Sequence, residues 1–387
     1  MKCDSNYIYR NCKPQLHLLS PDPENKNDES EKKKKQKESL TDDSTDSGRI
    51  LASGFSENGE YFAICDNQKQ LTVWNTSTEW TKLSSRPVVK RCTALAFSHN
   101  EDNIIVSDKA GDVYKFSILD PDKPGELILG HLSMVLDVIL SEDDRFVVTA
   151  DRDEKIRVSH FPNGYNIHSY CLGHTDFVSR LKILSGNSYI LLSGAGDGTI
   201  RVWNYLEGTL LNTHHLSTSE TKKIPVSCIA CSKKSGLVAV VAEGYPMVWI
   251  LQVMQRAKKW TINEMCKLET NNPPWNVYFN DDDILWIFQP CSRQHVLLYN
   301  YVNNDGTITF NALNEEESCK VFAYQQISSD WEFFKEYVQI GSFYSHLHKK
   351  TYDNVQDYLS KKQERLKAKS DKSEIDKPPT KKCKVDE

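Results

Sequence analysis

The sequence predicts an all-β fold, a propeller of repeated four-stranded blades, on three observations. Four successive units open with a strand, a polar turn and a second strand: ILASGFSENGEYFAICD, CTALAFSHNEDNIIVSD, MVLDVILSEDDRFVVTAD and FVSRLKILSGNSYILLSGAGD. Each runs on into a third strand, LTVWN (71–75), VYKFS (113–117), IRVSH (156–160) and IRVWN (200–204). The step is about 42 residues, the length of one blade. Gly130-His131 and Gly173-His174 precede two of the units and Trp203 closes one, which is the pattern of a WD-type repeat.

The elements follow in order. Residues 1–12 hold a strand-like remnant of the first blade, SNYIYRNC. Residues 13–48 are charged and polar, with Leu40 the one aliphatic past Leu19. Such a segment cannot bury enough apolar area to offset its ordering entropy, so a disordered insert is expected. From 49 to 341 the pattern is short strands. Beyond the four strong units lie two weaker ones, PVSCIACSKKSGLVAVVAEGYPMVWILQV (225–253) and PWNVYFNDDDILWIFQPCSRQHVLLYNY (274–301). That makes six blades, with the N-terminal strand helping to supply a seventh that closes the ring. Residues 342–369 are an extension in which Tyr352, Val355, Tyr358, Leu359 and Leu366 fall on one helical stripe, suited to docking on the propeller or to reaching a partner or RNA. Residues 370–387 are a disordered basic tail.

Charge is unevenly spread. The chain carries −5, but residues 361–387 hold ten Lys or Arg against six Asp or Glu, so the tail is +4 and the remainder −9. An acidic body is a poor platform for phosphates, so nucleic acid is met through local patches, the tail or a partner. No apolar run approaches the roughly 20 residues that span a bilayer, and MKCDSNYIYR lacks a secretory apolar stretch, so an intracellular protein is expected. The basic clusters KKKKQK (32–37) and KPPTKKCKV (377–385) favour the nucleus.

The motifs that could carry chemistry each lack the context it needs. Gly194-Ala195-Gly196-Asp197-Gly198 matches a Gly-x-Gly-x-Gly nucleotide loop, but a strand follows it where that loop needs a helix N-terminus. Cys228 and Cys231 have metal-ligand spacing, but no second pair completes a tetrahedral set, and PVSCIACS reads as a buried strand. His346 and His348 lack companions, and the eleven cysteines are scattered in a chain without an export signal, which favours free thiols. No catalytic residue, metal or cofactor is expected.

Two kinds of site remain. In the unit ending at Trp203, a blade would gather His174, Ser193, Asp197 and Trp203 into one buried hydrogen-bonded set, with Asp197 holding the turn. The other is a rim of turns. Counting back from the third strands, Asp66, Asp108, Asp151 and Ala195 are equivalent, as are Asn67, Lys109, Arg152 and Gly196. Solvated turns often have no further role. The third unit, however, concentrates Asp151, Arg152, Asp153, Glu154, Lys155 and Arg157 in seven residues, and mixed charge suits a matched protein contact better than a phosphate surface.

The combination RCTALAF (91–97), SDKAGDVYKFS (107–117), LGHLSMVLDV (129–138), DDRFVVTADRDEKIRVS (143–159), CLGHTDFVSR (171–180) and YDNVQDYLSKKQERL (352–366) resembles the non-catalytic WD-repeat subunits of eukaryotic tRNA (guanine-N7) methyltransferases over most of residues 50–366. The resemblance implies a seven-bladed propeller that binds and stabilises a separate catalytic subunit as a heterodimer, for 7-methylguanosine formation in the tRNA variable loop. tRNA would be met mainly through that complex. It further implies that the catalytic subunit docks at Lys109, Asp151, Arg152, Asp153, Glu154, Lys155 and Arg157, with Arg157 placed so that it could brace the turn internally instead. Members usually begin with the first two strands of the first blade, whereas this chain starts near its third, so an incomplete first blade is expected. The other class weighed is a substrate receptor of a cullin-type ubiquitin ligase. That role usually carries Trp-Asp-x-Arg at a blade end, whereas Trp74 is followed by Asn75-Thr76-Ser77 and Trp203 by Asn204-Tyr205-Leu206.

Overall fold

The computed structural model describes residues 49–217, 224–291, 294–304, 307–334, 344–348, 355–356 and 358–365. They build six four-stranded antiparallel sheets. The first comprises β1 (Ile50–Phe55), β2 (Tyr61–Asp66), β3 (Gln70–Asn75) and β4 (Thr81–Pro87), and the second β5 (Cys92–Phe97), β6 (Asn103–Asp108), β7 (Asp112–Ser117) and β8 (Glu126–Gly130). The third comprises β9 (Val135–Leu140), β10 (Phe146–Asp151), β11 (Ile156–His160) and β12 (Ile167–Cys171), and the fourth β13 (Val178–Ile183), β14 (Ile190–Ala195), β15 (Thr199–Asn204) and β16 (Thr209–His215). The fifth comprises β17 (Val226–Cys231), β18 (Leu237–Ala242), β19 (Met247–Arg256) and β20 (Lys259–Glu269), and the sixth β21 (Asn276–Phe279), β22 (Leu285–Phe288), β23 (Val296–Asn304) and β24 (Thr307–Ala312).

Each sheet is a meander in chain order, and the first strand of each packs on the first strand of the next. This is a WD-repeat propeller with its first strands innermost. The seventh blade expected from residues 1–12, and the insert 13–48, lie outside the described residues.

Sandwiching between neighbours explains the strand sequences. A strand covered on both faces reads as continuously apolar rather than alternating. Accordingly β10 (FVVTAD), β14 (ILLSGA) and β18 (LVAVVA) are buried at every position. Separate apolar layers fill each gap, with Val106 and Phe116 between the first and second sheets, Ile156 and Leu191 between the third and fourth, and Trp249 and Ile200 between the fourth and fifth.

Strands do not continue to residue 341, and this corrects the sequence reading. After β24 the chain turns helical, in α1 (Glu315–Cys319) and α2 (Phe322–Phe334). Asn314 caps α1, accepting from the Glu317 N–H while the Glu317 carboxylate accepts from the Asn314 N–H. Ile327 of α2 packs with Trp286, Val296 and Leu298 of the sixth sheet, and Trp331 stacks on His295 with ring centroids 4.3 Å apart. The spacing Tyr324, Ile327, Trp331 is helical, so the signal was present in the sequence.

The chain divides into two compact units, Met1–Leu347 and His348–Glu387. In the second, residues 355–356 and 358–365 are helical, and Val355, Tyr358 and Leu359 of the expected stripe are exposed. No helix among the described residues is long and apolar enough to cross a membrane.

Candidate protein-docking rim

The turns joining second to third strands share one backbone bond. Asn67 N–H donates to the Arg49 carbonyl, Lys109 to Arg91, Arg152 to Met134, Gly196 to Phe177 and Glu243 to Pro225. These positions are therefore equivalent around the ring and lie on one rim.

In the fourth sheet the turn is held from within. The His174 ring bridges Asp197 (Nδ1 to Oδ2, 3.0 Å) and Ser193 (Nε2 to Oγ, 2.7 Å), and Trp203 Nε1 donates to the same Ser193 Oγ at 2.8 Å. Asp197 also accepts from the Thr175 and Thr199 N–H groups and from the Thr199 hydroxyl. Burial alone would raise the Asp197 pKa, but His174 and these donors outweigh it and hold the carboxyl well below its usual range. Burial pulls His174 below the ordinary imidazole value, with Asp197 opposing.

The third sheet builds the same device from a different residue. His131 bridges Asp151 (3.0 Å) and Thr149 (2.8 Å), and Asp151 accepts from the Lys155 N–H at 2.9 Å. Asp151 is 2% exposed, so its expected place in a docking surface is corrected: it holds the turn from inside. Because the acid has moved to the strand end, Asp153, in line with Asp197, is left at the half-buried edge of the turn. For Arg157 the internal alternative holds. The residue is buried, donating through Nε to Ser159 Oγ, through Nη1 to the Gly130 carbonyl and through Nη2 to the Gly164 carbonyl. A third-strand residue points into the blade, and three donors find three oxygens there.

The remaining expected residues stay at the rim. Lys109 and Lys155 are exposed, and Arg152, Asp153 and Glu154 are half-buried. Lys155 Nζ lies 3.4 Å from the Asp153 carbonyl oxygen. Glu154 is left-handed at φ 73°, where the second and fourth sheets use Gly111 and Gly198. Among the described residues, Lys109, Arg152, Asp153 and Lys155 form no ion pair, whereas some cations elsewhere do, as in Lys115–Glu126 (3.0 Å) and Lys233–Asp281 (2.7 Å).

Comparison with known proteins agrees with this architecture. A family described as the tRNA methyltransferase TRM82 WD40 domain matches residues 17–126 and 120–285. A zebrafish (Danio rerio) protein named tRNA (guanine-N(7)-)-methyltransferase non-catalytic subunit wdr4 is 41% identical over 83% of this chain and 78% of its own. The human protein of that name is 39% identical over 81% of this chain and 76% of its own. The chain belongs to this family of non-catalytic tRNA methyltransferase subunits. A chain in a crystal structure of the mitotic checkpoint complex has the same fold at 14% identity, with a TM-score of 0.55 over 66% of this chain and 78% of that one.

In this family member a further part of the rim escaped the sequence reading. Tyr344 and Leu347, 4% and 1% exposed, pack with Leu136 and Phe177, and the Tyr344 ring stacks on Phe177 at 5.7 Å and 10°. Arg152 Nε donates to the Leu347 carbonyl at 3.3 Å, and the Tyr344 N–H donates to Glu243 at 3.4 Å. Asp137 and Arg180, on innermost strands, lie near Tyr344. Burial pushes the Asp137 carboxyl up, with Arg180 opposing. Burial would lower Arg180, but Tyr344 and Asp137 reverse it and hold the guanidinium charged. Tyr344 lies past the helices with no repeat to mark it, so only distance in space reveals it.

The weaker motifs resolve into packing. A Cβ on Gly194 would meet Val226 at 2.4 Å and one on Gly196 would meet Phe177 at 2.4 Å, so both glycines make room for side chains of the propeller. Cys228 and Cys231 sit on β17, where the Cys228 thiol contacts Asn276 Oδ1 at 3.0 Å and burial pushes Cys231 up to about 12. Among the described residues no group of three His, Cys, Asp or Glu could hold a metal.

Proposed function

We propose that this chain is the scaffold that binds and stabilises a separate catalytic subunit, one to one, for 7-methylguanosine formation in the tRNA variable loop, and that the rim of the second and third sheets is its docking surface. The observation that carries the reading is the division of labour in one turn. Buried Asp151 and Arg157 hold its shape, which leaves Lys109, Arg152, Asp153 and Lys155 without ion pairs on a body that is otherwise acidic. Charges kept at a rigid edge and not neutralised at home suit electrostatic matching to a partner. Membership in a family of non-catalytic tRNA methyltransferase subunits names the partner class. With the body at −9, tRNA is reached mainly through the complex. We extend the proposal to the nucleus on the basic runs 32–37 and 377–385, both outside the described residues.

The test is methyl transfer from S-adenosylmethionine to tRNA guanosine N7 by the catalytic subunit alone, by this chain alone and by the mixture. Strong activity is expected in the mixture only. Arg152 also holds Leu347, so the cleaner charge reversal is Lys109→Glu with Lys155→Glu. It should weaken assembly by about tenfold or more, since matched interfacial pairs are worth several kcal/mol. Exposed turn charges carry little stability, so melting should shift by no more than about 0.5 kcal/mol. Full co-purification of the double variant would refute the docking surface.

A further inference from the structure

The rim charges are interleaved with aliphatic side chains that no core requires. Leu132 is 108% exposed and Leu172 60% exposed. Their neighbours in sequence are the buried ones: Leu129 and Val135 flank Leu132, and Cys171 precedes Leu172. Both leucines are placed by the rim's own framework. The His131 N–H donates to the Gly111 carbonyl at 2.8 Å and the Arg152 N–H to the Met134 carbonyl at 2.9 Å. Leu132 therefore stands between the turn bearing Lys109 and the turn bearing Arg152. In the antiparallel pair of β11 and β12, Ile156 faces Cys171, so Leu172 is one step further on, opposite Lys155. The residue after the bridging histidine of the fourth sheet is Thr175, whose N–H serves Asp197, so a leucine there is not a demand of the blade.

A single exposed leucine needs no explanation. Two on one rigid edge, each beside a cation that has no ion pair, make the arrangement of a binding hot spot, in which apolar anchors enter a partner's pockets and charges around them set register. We propose that Leu132 and Leu172 are the anchors that hold the catalytic subunit, which would present apolar depressions bordered by carboxylates facing Lys109 and Lys155. The proposal rests on the docking reading above and adds where the binding energy lies.

Binding of the full chain to the catalytic subunit is titrated at low salt and at salt high enough to screen the charges. Wild type should retain most of its affinity at high salt. Leu132→Asp and Leu172→Asp should each weaken it about tenfold or more at both, as loss of a buried anchor does. Leu132→Thr, which copies the fourth sheet, should act in the same direction. Leu119→Asp is the control, since Leu119 is 69% exposed but follows β7, away from the rim turns. A Leu132→Asp/Leu172→Asp chain that melts like wild type and binds within about twofold overturns the anchors. If that chain binds while Lys109→Glu/Lys155→Glu does not, the docking surface stands without them. If wild type itself does not bind, the docking reading falls with them.

Discussion

Asp197 stays ionised where burial alone would favour its protonation, because His174, Thr175 and Thr199 surround it with donors. Its folded pKa lies below the unfolded value of about 3.9, so its contribution to stability is full above that pH and is lost as pH falls through the folded value. His174, His214 and His295 are all lowered by burial. The unfolded chain takes up protons at these sites first, so stability should begin to fall below about pH 6.5. Denaturant titration from pH 8 to pH 2 should show a loss in two stages, the histidines below about pH 6.5 and Asp197 below about pH 3.9, and a flat profile between pH 7 and pH 5 would contradict it. Asp197→Asn should cost about 1–3 kcal/mol at neutral pH and flatten the acid limb. The His174 set could be read from spacing because its four residues recur at fixed offsets in one repeat. Asp151 could not. A carboxylate at a strand end looks like surface charge until the histidine that receives it is placed in space, whereas for Arg157 the sequence left docking and internal bracing both open.

At the scale of elements, the turns joining first to second strands carry a device invisible in any single repeat. Glu101, Asp144 and Asp283 are left-handed at φ 61°, 52° and 61°, where the corresponding turn of the first sheet has Gly59 at 70°. Each acid reaches back to the preceding sheet's turn. Glu101 accepts from the Asn58 N–H (2.8 Å), Asp144 from the His99 and Asn100 N–H groups (2.9 and 2.8 Å), and Asp283 from the Ser232 hydroxyl (2.7 Å). The left-handed backbone costs about 1–2 kcal/mol, while each hydrogen bond to a charged group returns about 1.5–3. Asp144→Gly relieves the first and loses two of the second, so a net loss of about 1–5 kcal/mol is expected in urea unfolding. A more stable variant would show that the strain dominates. Strand order and the buried middle strands were legible because the repeat writes them several times over. The helices α1 and α2 were missed although Tyr324, Ile327 and Trp331 carry a helical spacing, because each is written once and lies beyond a weakly patterned sixth unit.

At the scale of the whole molecule, the segment Tyr344–Leu347 joins three sheets that the repeat alone links only to their neighbours. It touches Leu136 and Arg152 of the third, Phe177 of the fourth and Glu243 of the fifth. Sheets of a propeller contact adjacent sheets only, so a strap across three adds cooperativity that nearest-neighbour packing lacks. The same strap ties up Arg152, so the proposed docking rim and the segment Tyr344–Leu347 are coupled through one guanidinium. Tyr344→Ala would remove the stack on Phe177 and open the half-buried Arg180 and Asp137 further to water. Truncating a buried aromatic side chain costs about 3–5 kcal/mol, and the variant should lose stability near the lower end because the site opens to solvent. Hydrogen exchange should rise first in β9 and β13, which carry that pair, while β2 and β6 keep their protection. Arg152, released from Leu347, should then titrate the partner with altered affinity, whereas Lys109 and Lys155 keep their contribution. Uniform deprotection of all six sheets would instead make the propeller one cooperative unit with the strap merely part of its core.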